Sequence, residues 1–162
     1  MASFDDFTNA LDYPMYVVTA SADGRPSGCL VGFASQCSIN PPRFLVWLSK
    51  ENHTTEVAAR TDVLAVHLLG PDQQGLAALF GCLTADQGAD KFASAPWQPG
   101  PGGAPVLCHV TAWFEGRIEQ RFDGGDHVGH LLAPLESGGS ASPARGQLTY
   151  SAVRNLEPGH PA

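Results

Sequence analysis

Residues 28–54, GCLVGFASQCSINPPRFLVWLSKENHT, carry the reading of this chain. Gly28 to Ser38 reads as one strand-like run in which Gly28 and Gly32 stand among small and apolar residues, so that a backbone can approach something flat. Pro41-Pro42 cannot donate to a ladder and marks a turn or a strand edge. Arg43 to Leu48 follows as a short buried strand, dense in Phe44, Leu45, Val46, Trp47 and Leu48. It leads into Ser49, Lys50, Asn52, His53 and Thr54, a polar, helix-starting segment whose donors suit a phosphate. The whole stretch predicts a cradle for an anionic ligand with a flat apolar part.

Upstream, Tyr16 to Ala20 is β-branched enough for a strand, and Asp23-Gly24 supplies a turn before the run at Gly28, giving an opening hairpin. Downstream, Asn52 to Arg60 predicts a short helix with Thr54, Thr55 and Glu56 near its start, and Val63 to Leu69 returns to strand. Asp72 is placed to cap a helix over Gln73 to Leu83, with Leu76, Leu79, Phe80 and Leu83 on one face. Residues 96–105, PWQPGPGGAP, read as an irregular connection.

His109 to Phe122 alternates, with Val110, Ala112, Phe114, Gly116 and Ile118 on one side and Thr111, Trp113, Glu115, Arg117 and Glu119 on the other. A long antiparallel strand with one covered face is expected. Gly124-Gly125-Asp126 makes a turn, and His127 to Leu135 returns as a strand until Pro134 weakens it. ESGGSASPARG reads as a flexible loop, followed by a last strand near Leu148 to Val153 and the tail LEPGHPA. Six or seven strands with two or three short helices predict a mainly β fold, a closed antiparallel barrel. A length of 162 residues fits a single domain over 1–162.

A formal charge of −7 and a pI near 5.1 argue against a nucleic-acid groove or binding to an anionic membrane surface. The start, MASFDDFTNALDYP, has no signal-peptide pattern, and no later stretch approaches the roughly 18 apolar residues of a span. A cytoplasmic protein is expected. Cys29, Cys37, Cys82 and Cys108 lack C-x-x-C spacing and read as reduced, mostly buried thiols rather than a zinc site. Cys29 and Cys37 would lie about 27 Å apart on one continuous strand.

G-x-S-x-G, H-E-x-x-H and G-x-x-x-x-G-K-[ST] are absent, and there is no G-x-G-x-x-G turn for a dinucleotide fold. His127 and His130, three apart on a strand, face opposite sides and make a poor metal pair, so no metal is expected. His127, just after a turn, reads equally as a functional residue or a turn-stabilising one. Lys50 and His53 are expected to contact an anion, and Trp97 and Trp113 to pack.

Residues 28–54, with Asp90-Lys91-Phe92, Pro96-Trp97-Gln98-Pro99-Gly100, Gly103-Ala104-Pro105-Val106-Leu107 and Gly125-Asp126-His127, resemble the flavin reductase family of split β-barrel flavin-binding proteins. The resemblance covers most of the chain. It implies a Greek-key split barrel that dimerises, binds FMN or FAD near the subunit interface and reduces flavin with NADH or NADPH, often for a partner monooxygenase. Carried over by position, Val31, Gly32, Phe33, Ala34, Ser35 and Gln36 would run along the isoalloxazine ring. Ser49, Lys50, Asn52, His53 and Thr54 would surround the ribityl phosphate. His127 matches the histidine that lies near nicotinamide and flavin, and is the expected catalytic residue. Many members carry hydroxyl residues where this chain has Leu30, Gly32 and Phe33 and an aromatic where it has Ala34, departures that motivate the first of two alternatives. One is a non-catalytic flavin-binding or electron-carrier protein; the other is a split barrel using deazaflavin or haem.

Overall fold

Asp23 and Gly24 both adopt left-handed φ values, 55° and 73°, the backbone of a tight hairpin turn. They join β1 (Tyr16–Ala22) to β2 (Arg25–Val31) in antiparallel register. The computed structural model describes residues 3–82, 91–139 and 146–156. The remaining main-sheet strands are β3 (Ala34–Ile39), β4 (Pro42–Ser49), β5 (Val63–Leu68), β8 (Ala112–Asp123) and β9 (His127–Gly139). Three helices accompany them: α1 (Phe4–Asn9), α2 (His53–Ala58) and α3 (Gln74–Cys82). The predicted Leu83 end of α3 lies outside the described residues. Helix α1 begins with a capping box in which Ser3 and Asp6 satisfy each other's backbone N–H.

The seven-stranded sheet runs β2-β1-β5-β8-β9-β4-β3. Its two edge strands, β2 and β3, are consecutive in sequence and joined only by Gly32 and Phe33. In a flat sheet these edges would stand about 29 Å apart. Two residues cannot span that, so the sheet curls until its edges meet. No β2–β3 ladder forms among the described strands, and the barrel stays split at this seam. The expectation of one strand over 28–38 is therefore corrected to two strands on opposite edges, and the closed barrel to a split one. The 27 Å separation of Cys29 and Cys37 lapses with the continuous strand.

One core fills the barrel interior with Val18, Ala20, Val31, Val46, Leu48, Leu64, Val66 and Leu132. A second lies outside it, where Met15, Val17, Leu69, Phe80, Leu107 and Leu148 meet α3 and the chain's last described turn. Strand β1 alternates between them, which explains its unbroken apolar run. The mainly β, Greek-key-like architecture expected from sequence is present.

Residues 96–105 depart from the irregular connection expected of them. Strands β6 (Trp97–Pro99) and β7 (Pro105–Leu107) form a small hairpin, held by the β8 residue Glu115. Its carboxylate, fully buried, accepts from Gly102 N at 2.9 and 3.0 Å and from Ala104 N at 3.2 Å. Strand β8 is thus covered on both faces in its first half, not one: Phe114 and Ile118 join the inner core, while Trp113 packs outside. Trp97 meets Phe92 edge-on at 5.5 Å.

Strand β9 continues past Pro134 to Gly139. The register shifts beside Pro134, leaving Leu135 as an extra residue, and a bulge is where a proline inside a sheet is tolerated. Residues 136–139 of the expected loop are therefore strand, while 140–145 lie outside the described residues. The last expected strand is instead an isolated bridge from Thr149 to Pro14 and a 3-10 turn over Tyr150–Ala152. Asp12 bends the chain there: its carboxylate accepts from Ser151 N at 2.8 Å and from Ser151 Oγ at 3.1 Å. The tail from 157 lies outside the described residues. Among the described residues no helix is long and apolar enough to cross a membrane, and no cluster suited to a metal ion occurs. Of the cysteines with described side chains, Cys29 is buried, Cys108 half-buried and Cys37 exposed, so "mostly buried" holds for fewer thiols than expected.

Candidate functional site

A cavity of about 420 Å³ opens at the seam of the split barrel, within the range of small-molecule sites. Its walls come from segments far apart in sequence. Cys29 to Phe33 line one side as the end of β2 and the seam linker; Trp47 and Ser49 come from β4, Asn52 from the cap of α2 and His127 from the start of β9. Phe80 and Gly81 of α3, Tyr13 and Met15 before β1, and Tyr150, Val153, Arg154 and Leu156 complete it. Gly32 is required here: a Cβ on it would come within 2.4 Å of the Tyr13 ring.

Rings follow one another along the cavity. His127 and Phe33 lie 5.0 Å apart by centroid, Phe33 and Tyr13 6.2 Å, and Tyr13 stacks on Tyr150 at 5.0 Å. The Arg154 guanidinium ends the row, 5.8 Å from the Tyr150 ring. Such walls suit a flat aromatic ligand.

Polar groups gather at the other corner. His127 Nδ1 meets Asp126 Oδ1 at 2.7 Å. A carboxylate only accepts, so Nδ1 is the donor in this contact. The His127 hydrogen bond holds Asp126 below the usual carboxylate range. Asn52 caps α2 by accepting from Thr54 N at 2.9 Å, and Thr55 Oγ1 donates to the Ser49 carbonyl. Burial pushes the Cys29 thiol up to about 11, so it stays protonated and is no nucleophile near neutral pH. Burial also raises Tyr13, helped by Tyr150 and Asp12.

Of the residues expected from sequence, the cavity brings together Val31, Gly32, Phe33, Ser49, Asn52 and His127. Ala34 packs on the inner core, and Ser35 and Gln36 are exposed on the edge strand β3. Lys50 Nζ pairs with Asp123 at 2.9 Å, and His53 with Glu56 at 3.3 Å. Thr54 is fully buried and its hydroxyl meets Ser27 Oγ at 2.8 Å. Lys50 and His53 near the helix start face carboxylates outside the cavity lining, and Thr54 N serves the helix cap. Lys91, of the Asp90-Lys91-Phe92 motif, donates to the carbonyls of Gly28 and Phe80 at 3.1 and 3.0 Å, tying α3 to β2; Asp90 lies outside the described residues. Sequence reasoning missed Tyr13, Trp47, Tyr150 and Arg154 as site residues. Nothing local marks Tyr13 or Tyr150, and only the i, i+4 spacing of Tyr150 and Arg154 hints that the two act together.

A family model described as the flavin reductase like domain matches residues 8–150. The chain belongs to the flavin reductase like family. Similar family proteins include a Klebsiella pneumoniae protein named FMN reductase (NADH), 30% identical over 78% of this chain and 76% of its own length. The reductase subunit of a flavin-dependent monooxygenase from Rhodococcus jostii is 33% identical over 68% of this chain and 55% of its own. The chain spans 35% and 53% of the length of two Rhizobium meliloti relatives. Among solved structures, the NADH:FAD oxidoreductase of Streptomyces globisporus C-1027 superposes with a TM-score of 0.81 at 24% identity, over 90% of this chain and 85% of that one. That likeness confirms the fold.

Proposed function

We propose that the protein is a flavin reductase that takes hydride from NADH or NADPH to FMN or FAD, and that it supplies reduced flavin to a partner monooxygenase. The observation that carries the reading is the ring-lined seam cavity with its polar corner of Ser49, Asn52 and His127, in a chain of this family. The names of the relatives support the chemistry, one an FMN reductase using NADH and another a monooxygenase's reductase subunit. The residues present fit a flavin. Phe33, Trp47, Tyr13 and Tyr150 offer flat apolar contact, and the corner offers polar groups for a heteroaromatic edge.

When bound, the flavin supplies the hydride-accepting ring. The chain's own part is positional. Val31, Gly32 and Phe33 bring backbone and one ring to the ligand, with Gly32 leaving room for close approach. Ser49 and Asn52 would hold the polar edge of the ligand, and His127, fixed by Asp126, would help to position the nicotinamide and flavin rings. Lys50 and His53 reach a phosphate only by leaving Asp123 and Glu56. The protein is further read as a cytoplasmic homodimer. The outer edge of β3, unpaired among the described residues, with Ile39 83% exposed on it and Phe33 53% exposed just before it, supports a partner copy near the seam.

Stopped-flow mixing of flavin-loaded protein with NADH and with NADPH tests the reading. Bleaching of the flavin absorbance is expected, and none with either donor would sink the reductase and leave a carrier. His127→Ala should lower turnover about tenfold while flavin binding holds, because a positioning contact is removed and no covalent step is lost. An unchanged steady-state rate removes His127 from the mechanism.

A further inference from the structure

We propose that Arg154 reads the phosphate of the ligand in the seam cavity, so that the segment Tyr150–Leu156 selects phosphorylated ring nucleotides over their unphosphorylated forms. The proposal rests on the flavin reading above and adds the charge discrimination of the same site.

Among the described residues lining the cavity, Arg154 supplies the only lysine or arginine side chain. Other basic side chains around the seam are engaged elsewhere: Lys50 by Asp123, His53 by Glu56, and Arg43 by both oxygens of Glu119 at 2.9 Å. Among the described residues no carboxylate forms an ion pair with Arg154. Its contact is the Tyr150 ring, an arrangement that holds a guanidinium without neutralising it.

The guanidinium shares one ring row with the proposed flat-ligand wall: Phe33, Tyr13 and Tyr150 follow one another, and Arg154 lies at the Tyr150 end. The guanidinium fork matches phosphate oxygens in a way that an ammonium does not. The base of the segment is anchored. Asp12 holds Ser151 by its backbone and hydroxyl, Tyr150 N donates to the Tyr13 carbonyl at 2.9 Å, and the two tyrosine rings stack. The net charge of −7 repels anions at long range, which makes a local cation decisive for a phosphate.

The test compares wild type, Arg154→Gln and Arg154→Lys on two ligand pairs. Riboflavin and FMN are titrated by flavin fluorescence, and dihydronicotinamide riboside and NADH by calorimetry. Arg154 is exposed, so both variants should fold. Arg154→Gln should weaken the phosphorylated member of one pair about tenfold and leave its neutral member unchanged. Arg154→Lys should recover part of the loss, and added salt should shrink the difference. A loss in the flavin pair assigns Arg154 to the flavin phosphate; a loss in the nicotinamide pair assigns it to the dinucleotide pyrophosphate. Equal changes within both pairs, or no change in either, overturn the proposal. Wild-type protein that binds neither flavin nor NADH overturns the flavin reading itself, and the proposal with it.

Discussion

Replacing Glu115 with alanine should lower stability by about 3–5 kcal/mol, because it removes a fully buried acceptor, leaves the buried Ala104 N–H without a partner and empties the space under the 100–104 loop. The carboxylate is fully enclosed and receives three backbone hydrogen bonds from Gly102 and Ala104. The loop is shaped around it: a Cβ on Gly100 would fall 2.2 Å from Oε1, and one on Gly102 2.7 Å from Oε2. Glu115→Gln keeps the shape but turns an amide NH₂ toward N–H donors, and should cost less, about 2 kcal/mol. Urea unfolding should move the midpoint down without changing the slope. Heating should show melting roughly 10 °C lower for the alanine variant. Equal stability of Glu115→Ala and wild type would mean that the 100–104 loop rearranges and finds other acceptors.

Acidification from pH 7 to pH 5 should cost about 2 kcal/mol for each of two buried histidines, His67 and His130. Burial pushes both down to about 4 from an ordinary 6.5, and Arg121 adds to the shift at His130. Between these values the unfolded chain takes up protons that the native chain refuses, so stability falls as pH drops through 6.5 and levels off near 4. His67 has no room for a second proton. Its Nδ1 donates to the Val17 carbonyl at 2.9 Å and its Nε2 accepts from Leu107 N at 3.0 Å, joining β5 to β1 and β7. His130 Nδ1 has no hydrogen-bond partner. The depressed carboxylates of Asp12, Asp123 and Asp126 titrate below this window. Urea midpoints at pH 7 and pH 5 check the expectation, and a His67→Gln variant should show about half the wild-type dependence. A flat wild-type profile would mean that neither imidazole is held neutral by its burial.

Glu115 and His67 also show where the sequence stops being informative. The alternation through β8 placed Glu115 on the face opposite Phe114 and Ile118, correctly, and that face looked solvated because it carried Thr, Glu and Arg. The hairpin that covers it is made from PWQPGPGGAP, whose prolines and glycines signal irregular backbone. Those glycines are there because a buried carboxylate lies beneath them. Pro134 misled in a similar way: read locally it ends a strand, yet a bulge beside it lets β9 run on to Gly139.

The candidate site divides along the same line. Ser49, Asn52 and His127 were legible because a buried strand running into a helix cap, and a glycine turn running into a strand, are local patterns. Lys50 was legible as a cation but not as a paired one, since Asp123 lies 73 residues from it.

The sequence by itself determined the cores of β1, β4, β5, β8 and β9, the helices α2 and α3, the Asp23-Gly24 and Gly124-Gly125 turns and the polar corner of the site, which depend on neighbours within a few residues, and motifs spread along the chain determined the family. Tertiary structure alone decided that residues 28–38 break at Gly32-Phe33 into the two edges of one curled sheet. It also decided that Tyr13, Tyr150 and Arg154 complete the cavity at that seam. Side-chain periodicity records which face of a strand is buried, but strand order and the distant segment that covers a face are set by long-range pairing, and no local pattern encodes them.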